Sequence, residues 1–459
     1  MLGFLDISAI TLSFQISYSI FSGLEAGLFF SDTNILNLYI IFTPLWLIIL
    51  YLIKITEIPR TKRYSILFVE YLESTILFAI LLSLTHLVFR INEVTFLFLL
   101  TVSFTGLFIL YSVRLLEYIT FKRYRSKGYN YRNLVIIADE SAYGFINNIR
   151  LRKEWGYRVY AIFTESELLR KKWEDKIIML SKDYIKVLDD LMEKDLIDEV
   201  LFYKSIINTE EVRTVIRSCE ELGVTFRLRM NSKDKSINNG IRTDFAGENF
   251  LTFINVPYDP ISISLKRFFD ITISLTMLLV LAPFLLLLAV IIKLDSKGPV
   301  IFKQERVGLR GRKFMLYKFR TMVQNAEELR QKMEEQNEVD GPVFKIENDP
   351  RITRVGKFLR NTGFDEFPQL LNILKGEMSL IGPRPPIHSE IVQYKRWQLR
   401  RLSVKPGLSC FWQIKPERNS IKFETWMEMD LAYIDNWSLR LDFLILLRTF
   451  RTVVRKTGL

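Results

Sequence analysis

Asp365 and Glu366 stand side by side in the stretch Phe364-Asp-Glu-Phe-Pro-Gln-Leu-Leu-Asn-Ile-Leu-Lys-Gly376. Arg360 lies just before them, and Arg384 follows within Gly382-Pro-Arg-Pro385. The apolar spacing predicts a helix that opens at the acidic pair and is capped at its C-terminus by Gly376. Neighbouring positions on a helix point about 100° apart, so these carboxylates are poorly placed to flank one bond as an acid/base pair. They can divide labour instead. One can attack phosphorus while the other holds a metal ion that neutralises phosphate oxygens. Arginines on either side suit such chemistry, because they bind phosphate bidentately. The bland alternative is that the pair only complements the helix dipole, worth about 0.3–1 kcal/mol.

The nearest large element is the apolar run Ile271–Ile292, long enough to cross a bilayer. Lys266 and Arg267 precede it, and Lys293, Lys297, Lys303 and Arg306 follow. Basic residues at both ends place both ends on the cytoplasmic side. Pro283, near the middle, removes a backbone hydrogen bond. The expectation is a re-entrant helix over about 266–294, broken at Pro283, that dips into one leaflet and returns. A true crossing is the competing reading.

Upstream, the 459 residues are 49% apolar and 25% charged, with a mean hydropathy of +0.14. The apolar excess is concentrated in four N-terminal stretches that read as membrane helices: Ile10–Phe30, Ile35–Ile53, Ile66–Phe89 and Phe96–Leu116. Met1–Ala9 has no basic residue, which argues against a signal peptide. Lys54, Arg60, Lys62 and Arg63 follow the second stretch, and Arg114, Lys122, Arg123, Arg125 and Lys127 attend the end of the fourth. Both clusters, and with them the N-terminus, are expected on the cytoplasmic side.

From Arg132 onward short apolar runs alternate with helical stretches. Asn133–Ala138, Arg158–Phe163, Glu199–Tyr203 and Val224–Leu228 read as strands, with helices near Tyr143–Lys153 and Glu210–Leu222. This alternation predicts a parallel sheet over residues 130–255. The first strand leads into Asp139-Glu-Ser-Ala-Tyr-Gly144, which lacks the G-x-G-x-x-G spacing and would repel a pyrophosphate. A degenerate Rossmann-like domain with a scaffolding role fits better than a dinucleotide site.

The net charge of +12 accompanies no nucleic-acid motif, and beside membrane segments it suits anionic headgroups and phosphate-bearing substrates. Cys219 and Cys410, far apart, support neither a disulfide framework nor a zinc site. His86 and His388 are too few for histidine metal chemistry. Further on, Val300–Phe302 and Phe314–Phe319 read as strands bracketing a basic turn, and Ala326–Asn337 as a solvated charged helix. Leu439–Lys456 mixes aliphatic and basic residues, as an interfacial or a packing helix would.

Seven stretches occur in unbroken order over 262–459: Lys266-Arg-Phe-Phe-Asp270, Pro299–Gln304, Tyr317-Lys-Phe-Arg-Thr-Met322, Asp349-Pro-Arg-Ile-Thr-Arg354, Asp365 through Gly376, Met378–Pro385 and Lys405-Pro-Gly407. In these the chain resembles the bacterial sugar transferases, the monotopic polyprenyl-phosphate phosphoglycosyl transferases. With four preceding membrane helices (1–120) and a Rossmann-like domain (130–255), it is similar to their long form. The implied fold class is a membrane protein, α plus α/β, with a monotopic α/β catalytic domain.

The resemblance implies that Asp365 attacks the sugar-bearing phosphate of a UDP-sugar, releasing UMP and leaving a phosphosugar on the enzyme. A polyprenyl phosphate, expected to be undecaprenyl phosphate, then accepts the hexose phosphate at the cytoplasmic face of the bacterial inner membrane. Glu366 would hold Mg2+. Lys318, Arg320, Arg360, Arg384 and Arg418 would contact phosphates or nucleotide, and Lys266 and Arg267 the lipid phosphate. Arg418 sits in a loop that departs from the family, with Cys410 in place of a small glycine and Pro416-Glu417 before it. Such enzymes initiate exopolysaccharide, capsule or O-antigen assembly, and a homodimer is implied. The alternative is an inactive membrane scaffold for polysaccharide assembly, which would have little need to keep the dyad and its arginines.

Overall fold

The computed structural model describes residues 2–23, 27–53, 60–89, 94–179, 184–230, 240–254, 260–324, 326, 329, 346, 349–415 and 421–454. Arg418 and nearly all of the expected helix 326–337 lie outside them. The chain divides into two units, residues 1–132 with 142–159 and 243–250, and residues 133–141, 160–242 and 251–459.

In the first unit four helices follow one another: α1 (Leu2–Ser22), α2 (Thr33–Leu52), α3 (Tyr64–Phe89) and α4 (Phe96–Ser126). Their order matches expectation, while two boundaries differ. Helix α1 ends before Gly23, whose φ of 85° leaves the helical region, so the expected Ile10–Phe30 shifts toward the N-terminus. Helix α4 continues ten residues past Leu116, because Tyr118 and Arg125 give its end an inward face. Among the described residues α2, α3, α4 and a later helix, Pro260–Asp295, are long and apolar enough to cross a membrane; α1 is not among them. The chain is a membrane protein.

These helices pack around Phe14, Trp46, Phe78 and Val102, with Trp46 stacked on Phe78 at 3.9 Å between centroids. Buried in the same bundle, Arg114 donates to Asp6 at 2.9 Å, to the Tyr71 hydroxyl at 2.9 Å and to Glu117 at 3.0 Å. It is therefore a bundle residue and not part of a basic loop.

The sheet is built from β1 (Arg132–Ala138), β2 (Tyr157–Thr164), β3 (Ile177–Met179), β4 (Glu199–Tyr203), β5 (Thr225–Arg229), β6 (Ile241–Phe245) and β7 (Glu248–Phe253). Strand order is β3-β2-β1-β4-β5-β7-β6, with β1/β4, β2/β3 and β4/β5 parallel. Strands β1 and β4 are buried almost throughout, as continuous apolar runs of a covered parallel sheet should be. Helices α5 (Tyr143–Leu151), α6 (Glu167–Lys172), α7 (Tyr184–Lys194) and α8 (Thr209–Leu222) supply the crossovers.

Helix α9 (Pro260–Asp295) is continuous through Pro283, so the expected helix–break–helix is corrected to one long helix. Proline deletes a single N–H, and the hydrogen bonds on either side carry the helix past it. At 1.5 Å per residue its 36 residues span about 54 Å. One face packs along nearly all of that length. Ile273, Met277 and Leu278 meet a core containing Leu370, Ile373, Leu380 and Tyr433. Further along, Leu288 and Ile292 join Phe319 and Leu359. The other face exposes Leu275, Leu279, Val280, Leu286, Leu287 and Val290.

After α9 comes an antiparallel hairpin, β8 (Ile301–Val307) and β9 (Lys313–Phe319), in a register that opposes Phe302 to Lys318 and Arg306 to Phe314. The short strands β10 (Ser379–Ile381) and β11 (Gly407–Ser409) pair in parallel. Between hairpin and strands, the helix Arg354–Thr362 sits directly on the chain at Thr321. A Cβ on Gly356 would lie 2.0 Å from the Thr321 carbonyl oxygen.

Backbone cannot yield there as a flexible side chain would. Gly356→Ala should therefore cost about 1–3 kcal/mol and lower the apparent Tm in detergent by several degrees. An unchanged Tm would refute this close approach.

Candidate active site

The helix Arg354–Thr362 ends at Gly363 (φ 72°), and a 3-10 turn, Phe364–Glu366, carries the acidic pair. The expected helix thus begins later, at Gln369, after Pro368, while its cap at Gly376 (φ 85°) is as expected. The turn brings Phe364 edge-on to Phe284 of α9, 5.1 Å between centroids. The residue directly before the acidic pair therefore packs on the apolar helix.

Asp365 is 8% exposed. Burial pushes its carboxyl up to about 6; Lys318 pulls it down, Glu366 pushes it up and Arg360 pulls it down. Glu366 accepts a 2.7 Å hydrogen bond from Lys318 Nζ, and a third of its side chain is exposed. Arg360 donates through Nε to Thr321 Oγ1 at 3.0 Å. Burial lowers the Arg360 pKa, and Asp365 and Asp349 oppose that. Asp349 is held below the usual carboxylate range: burial raises it, but hydrogen bonds from the Arg351 side chain and backbone prevail.

Arg306 was not singled out as a site residue, yet it belongs with this group. Burial brings its guanidinium down to about 10; Arg384 adds repulsion, and Glu390 and Glu366 attract it. It donates to the Pro385 carbonyl at 2.9 Å and to Gln304 Oε1 at 2.7 Å. Arg384 is 3.7 Å from Glu390, and its own carbonyl accepts from Arg401 at 2.9 Å. Asn372 is a second omission. Fully buried, it accepts from Tyr317 N at 3.1 Å and donates to Met315 O at 2.7 Å, which ties β9 to the helix behind the acidic pair. A lone amide inside Leu-Leu-Asn-Ile-Leu was the available signal, since a buried polar group needs partners.

Three residues expected to bind substrate have their charged groups engaged within the fold. Arg320 is buried and donates to Ser296 O at 2.6 Å and to Pro299 O, capping the C-terminus of α9. Arg267 donates to Ile373 O at 2.6 Å and Leu374 O at 2.8 Å, closing the helix Gln369–Lys375. Lys266 bonds Ile381 O at 3.0 Å and Asp442 at 2.5 Å. Lys318 and Arg360 act on Asp365, Lys318 pairs with Glu366, and Arg306, itself bonded within the fold, attracts Glu366 and lies near Arg384. Cys410 is buried beside Trp412, which stacks on Trp426 at 4.4 Å.

Asp365 and Glu366 thus sit among cationic side chains on a turn whose Phe364 packs on the apolar helix α9. Residues 261–456 match the family described as bacterial sugar transferase, and residues 50–229 match one described as a CoA-binding domain. Over 250 residues, 54% of the chain, it is 39% identical to a galactosyl transferase of Streptococcus agalactiae, covering 55% of that protein. Over 198 residues, 42% of the chain, it is 40% identical to an undecaprenyl-phosphate galactose phosphotransferase of Salmonella typhimurium, covering 41% of it. The matched stretch thus spans about half the length of these curated relatives. An exopolysaccharide production protein of Rhizobium meliloti is 37% identical over 206 residues, 43% of the chain and 89% of that protein. The chain belongs to the bacterial sugar transferase family.

Because the folded state raises the Asp365 pKa, it binds this proton more tightly than the unfolded chain does. Stability is therefore lost as pH rises from about 4 to 6, and the ionised carboxylate remains a liability above that. With metal chelated, Asp365→Asn should unfold at higher temperature than wild type at pH 8, by the equivalent of about 1–3 kcal/mol, and no higher at pH 4. A variant less stable than wild type at pH 8 would show that the carboxylate is net stabilised where it stands.

Proposed function

We propose that the protein transfers a hexose 1-phosphate from a UDP-sugar to undecaprenyl phosphate at the cytoplasmic face of the bacterial inner membrane. The observation that carries this reading is the buried Asp365 carboxylate, set between Lys318 and Arg360 and backed by Phe364 on Phe284 of α9. A carboxylate stripped of water is a better nucleophile, and its pKa of about 6 leaves it mostly ionised at pH 7.

In the first step an Asp365 oxygen bonds to the sugar-bearing phosphorus, and the bond from that phosphorus to the bridging oxygen breaks, releasing UMP. In the second, an oxygen of the lipid phosphate bonds to the same phosphorus, freeing the Asp365 carboxylate and giving a lipid diphosphate sugar. Lys318, Arg306 and Arg384 are the groups available to neutralise the non-bridging oxygens, and Arg360 restrains Asp365. Two adjacent carboxylates suit Mg2+, which commonly takes one or two protein carboxylates and completes its shell with phosphate and water. No larger cluster of metal-binding side chains occurs among the described residues. Glu366, the more exposed of the pair, would hold the ion, which would supply further neutralisation of phosphate charge.

The lipid phosphate acceptor is expected to arrive sideways. Helix α9 contacts the C-terminal core from its first third to its last, which favours a helix lying in one leaflet with its exposed face in hydrocarbon over one that crosses. The helix Leu439–Val454 adds exposed Phe443, Leu447 and Phe450, three residues on one side. Galactose is the preferred sugar, because it is named for both the Streptococcus and the Salmonella relatives.

The decisive experiment incubates purified protein in nanodiscs with magnesium and a panel of UDP-sugars, without lipid acceptor. Intact mass should rise by one phosphohexose with stoichiometric UMP, and Asp365→Asn should show neither. Turnover with lipid but no adduct without it would exclude the covalent route. No turnover with any sugar would favour a scaffold.

A further inference from the structure

The hairpin that carries Arg306 on β8 and Lys318 on β9 is held at its tip by the α/β sheet. The turn at 308–312 brings two guanidinium groups to one carboxylate. Arg310 and Arg312 reach Asp198, just ahead of β4, at 3.1 Å and 3.0 Å. The Asp198 side chain is 1% exposed and also accepts from Asn133 N at 2.8 Å. A carboxylate so deeply buried depends on these partners, since removing them would leave an uncompensated charge. The turn fits closely as well. Arg310 has a left-handed backbone (φ 56°), and a Cβ on Gly311 would lie 2.4 Å from Leu196. A non-glycine residue in that region is strained, and the ion pair holds it there.

A second clamp joins the same two regions. Arg396 donates twice to Asp189 of α7 at 2.7 Å, and its Nε lies 3.0 Å from Glu221 of α8. Its 3-10 segment, Arg396–Ser403, also carries Arg401, which bonds the Arg384 carbonyl. Both elements that present cations to the dyad are therefore anchored on the sheet and its helices. Strand register does the rest. With Phe302 opposite Lys318 and Arg306 opposite Phe314, a shift at the tip is transmitted to both cations.

We propose that Asp198 is a positioning residue: by gripping Arg310 and Arg312 it makes the α/β domain set where Lys318 and Arg306 stand relative to the dyad. The domain is thus a working part of the transferase and not a passive spacer. The inference rests on the reaction proposed above for its kinetic consequence, but not for its structural one.

The test uses the full chain in nanodiscs and compares Asp198→Asn, the pair Arg310→Gln with Arg312→Gln, the triple variant, and Arg312→Lys. An asparagine here turns an NH2 toward donors, so it breaks the grip without changing size. Hydrogen–deuterium exchange should rise in residues 301–319 and stay unchanged in strands β1 and β4. In the transfer assay kcat should fall about tenfold in Asp198→Asn and in the arginine pair. KM for the UDP-sugar should stay within twofold. The triple variant should be no worse than either, because all three residues act as one unit, and Arg312→Lys should retain kcat within twofold. Losses that multiply in the triple variant, or a normal kcat despite a loosened hairpin, would overturn the proposal. So would a hairpin whose exchange does not change. If wild type itself shows no turnover, the proposed reaction fails, and the exchange data alone decide whether Asp198 orders the hairpin.

Discussion

The C-terminal half of the protein depends on one helix that must satisfy two apolar environments. Along one side, α9 closes the cores built on Leu370 and Ile373 and on Phe319 and Leu359; along the other it presents mostly apolar side chains. Removing the packed face would open both cores. Cations at its two ends fix its place: Lys266 and Arg267 near the start bond carbonyls of β10 and of the helix Gln369–Lys375, and Arg320 closes the end. Charged groups used this way satisfy carbonyls that would otherwise lack partners at helix termini.

The same helix explains the electrostatics of the dyad. Phe364, the residue before Asp365, rests on Phe284, and desolvation by burial is the largest influence on the Asp365 carboxyl. Lys318 and Arg360 offset part of the cost without abolishing it, so the group is neither a comfortable ion pair nor a neutral acid at pH 7. Glu366, more exposed and paired with Lys318, is a different kind of carboxylate one residue away. A turn in place of a helix start produces this difference, by burying one neighbour and leaving the other at the rim.

Much of this was legible in the residues. The alternation of apolar runs located β1, β2, β4 and β5 to within a residue or two, and the Gly376 cap ended its helix where expected. Strands β3, β6 and β7 escaped, being short or carrying exposed polar residues such as Arg242 and Asp244, which leave little apolar periodicity to read. The continuity of α9 also escaped, because proline marks a weak point in a helix without saying whether packing carries the chain past it. Among site residues, the dyad and Arg360 stood out by type and spacing. Arg320 and Arg267 were marked as substrate contacts by the resemblance alone, and only tertiary contacts reveal that they cap helices. Arg306 was hidden in the opposite way, in a basic turn whose charges seemed to serve the membrane surface.

In the N-terminal bundle, the buried bond between Asp6 and Arg114 joins residues 108 positions apart. Read in time, that separation sets an order of assembly. Helix α1 leaves the ribosome with a carboxylate whose counterion is not yet made, and among the described residues it is not one of the helices apolar enough to cross. Its partner emerges only after two further helices have been made. Helix α1 therefore cannot reach its final contact until α4 has been made, and a contact local in space is among the most distant in time.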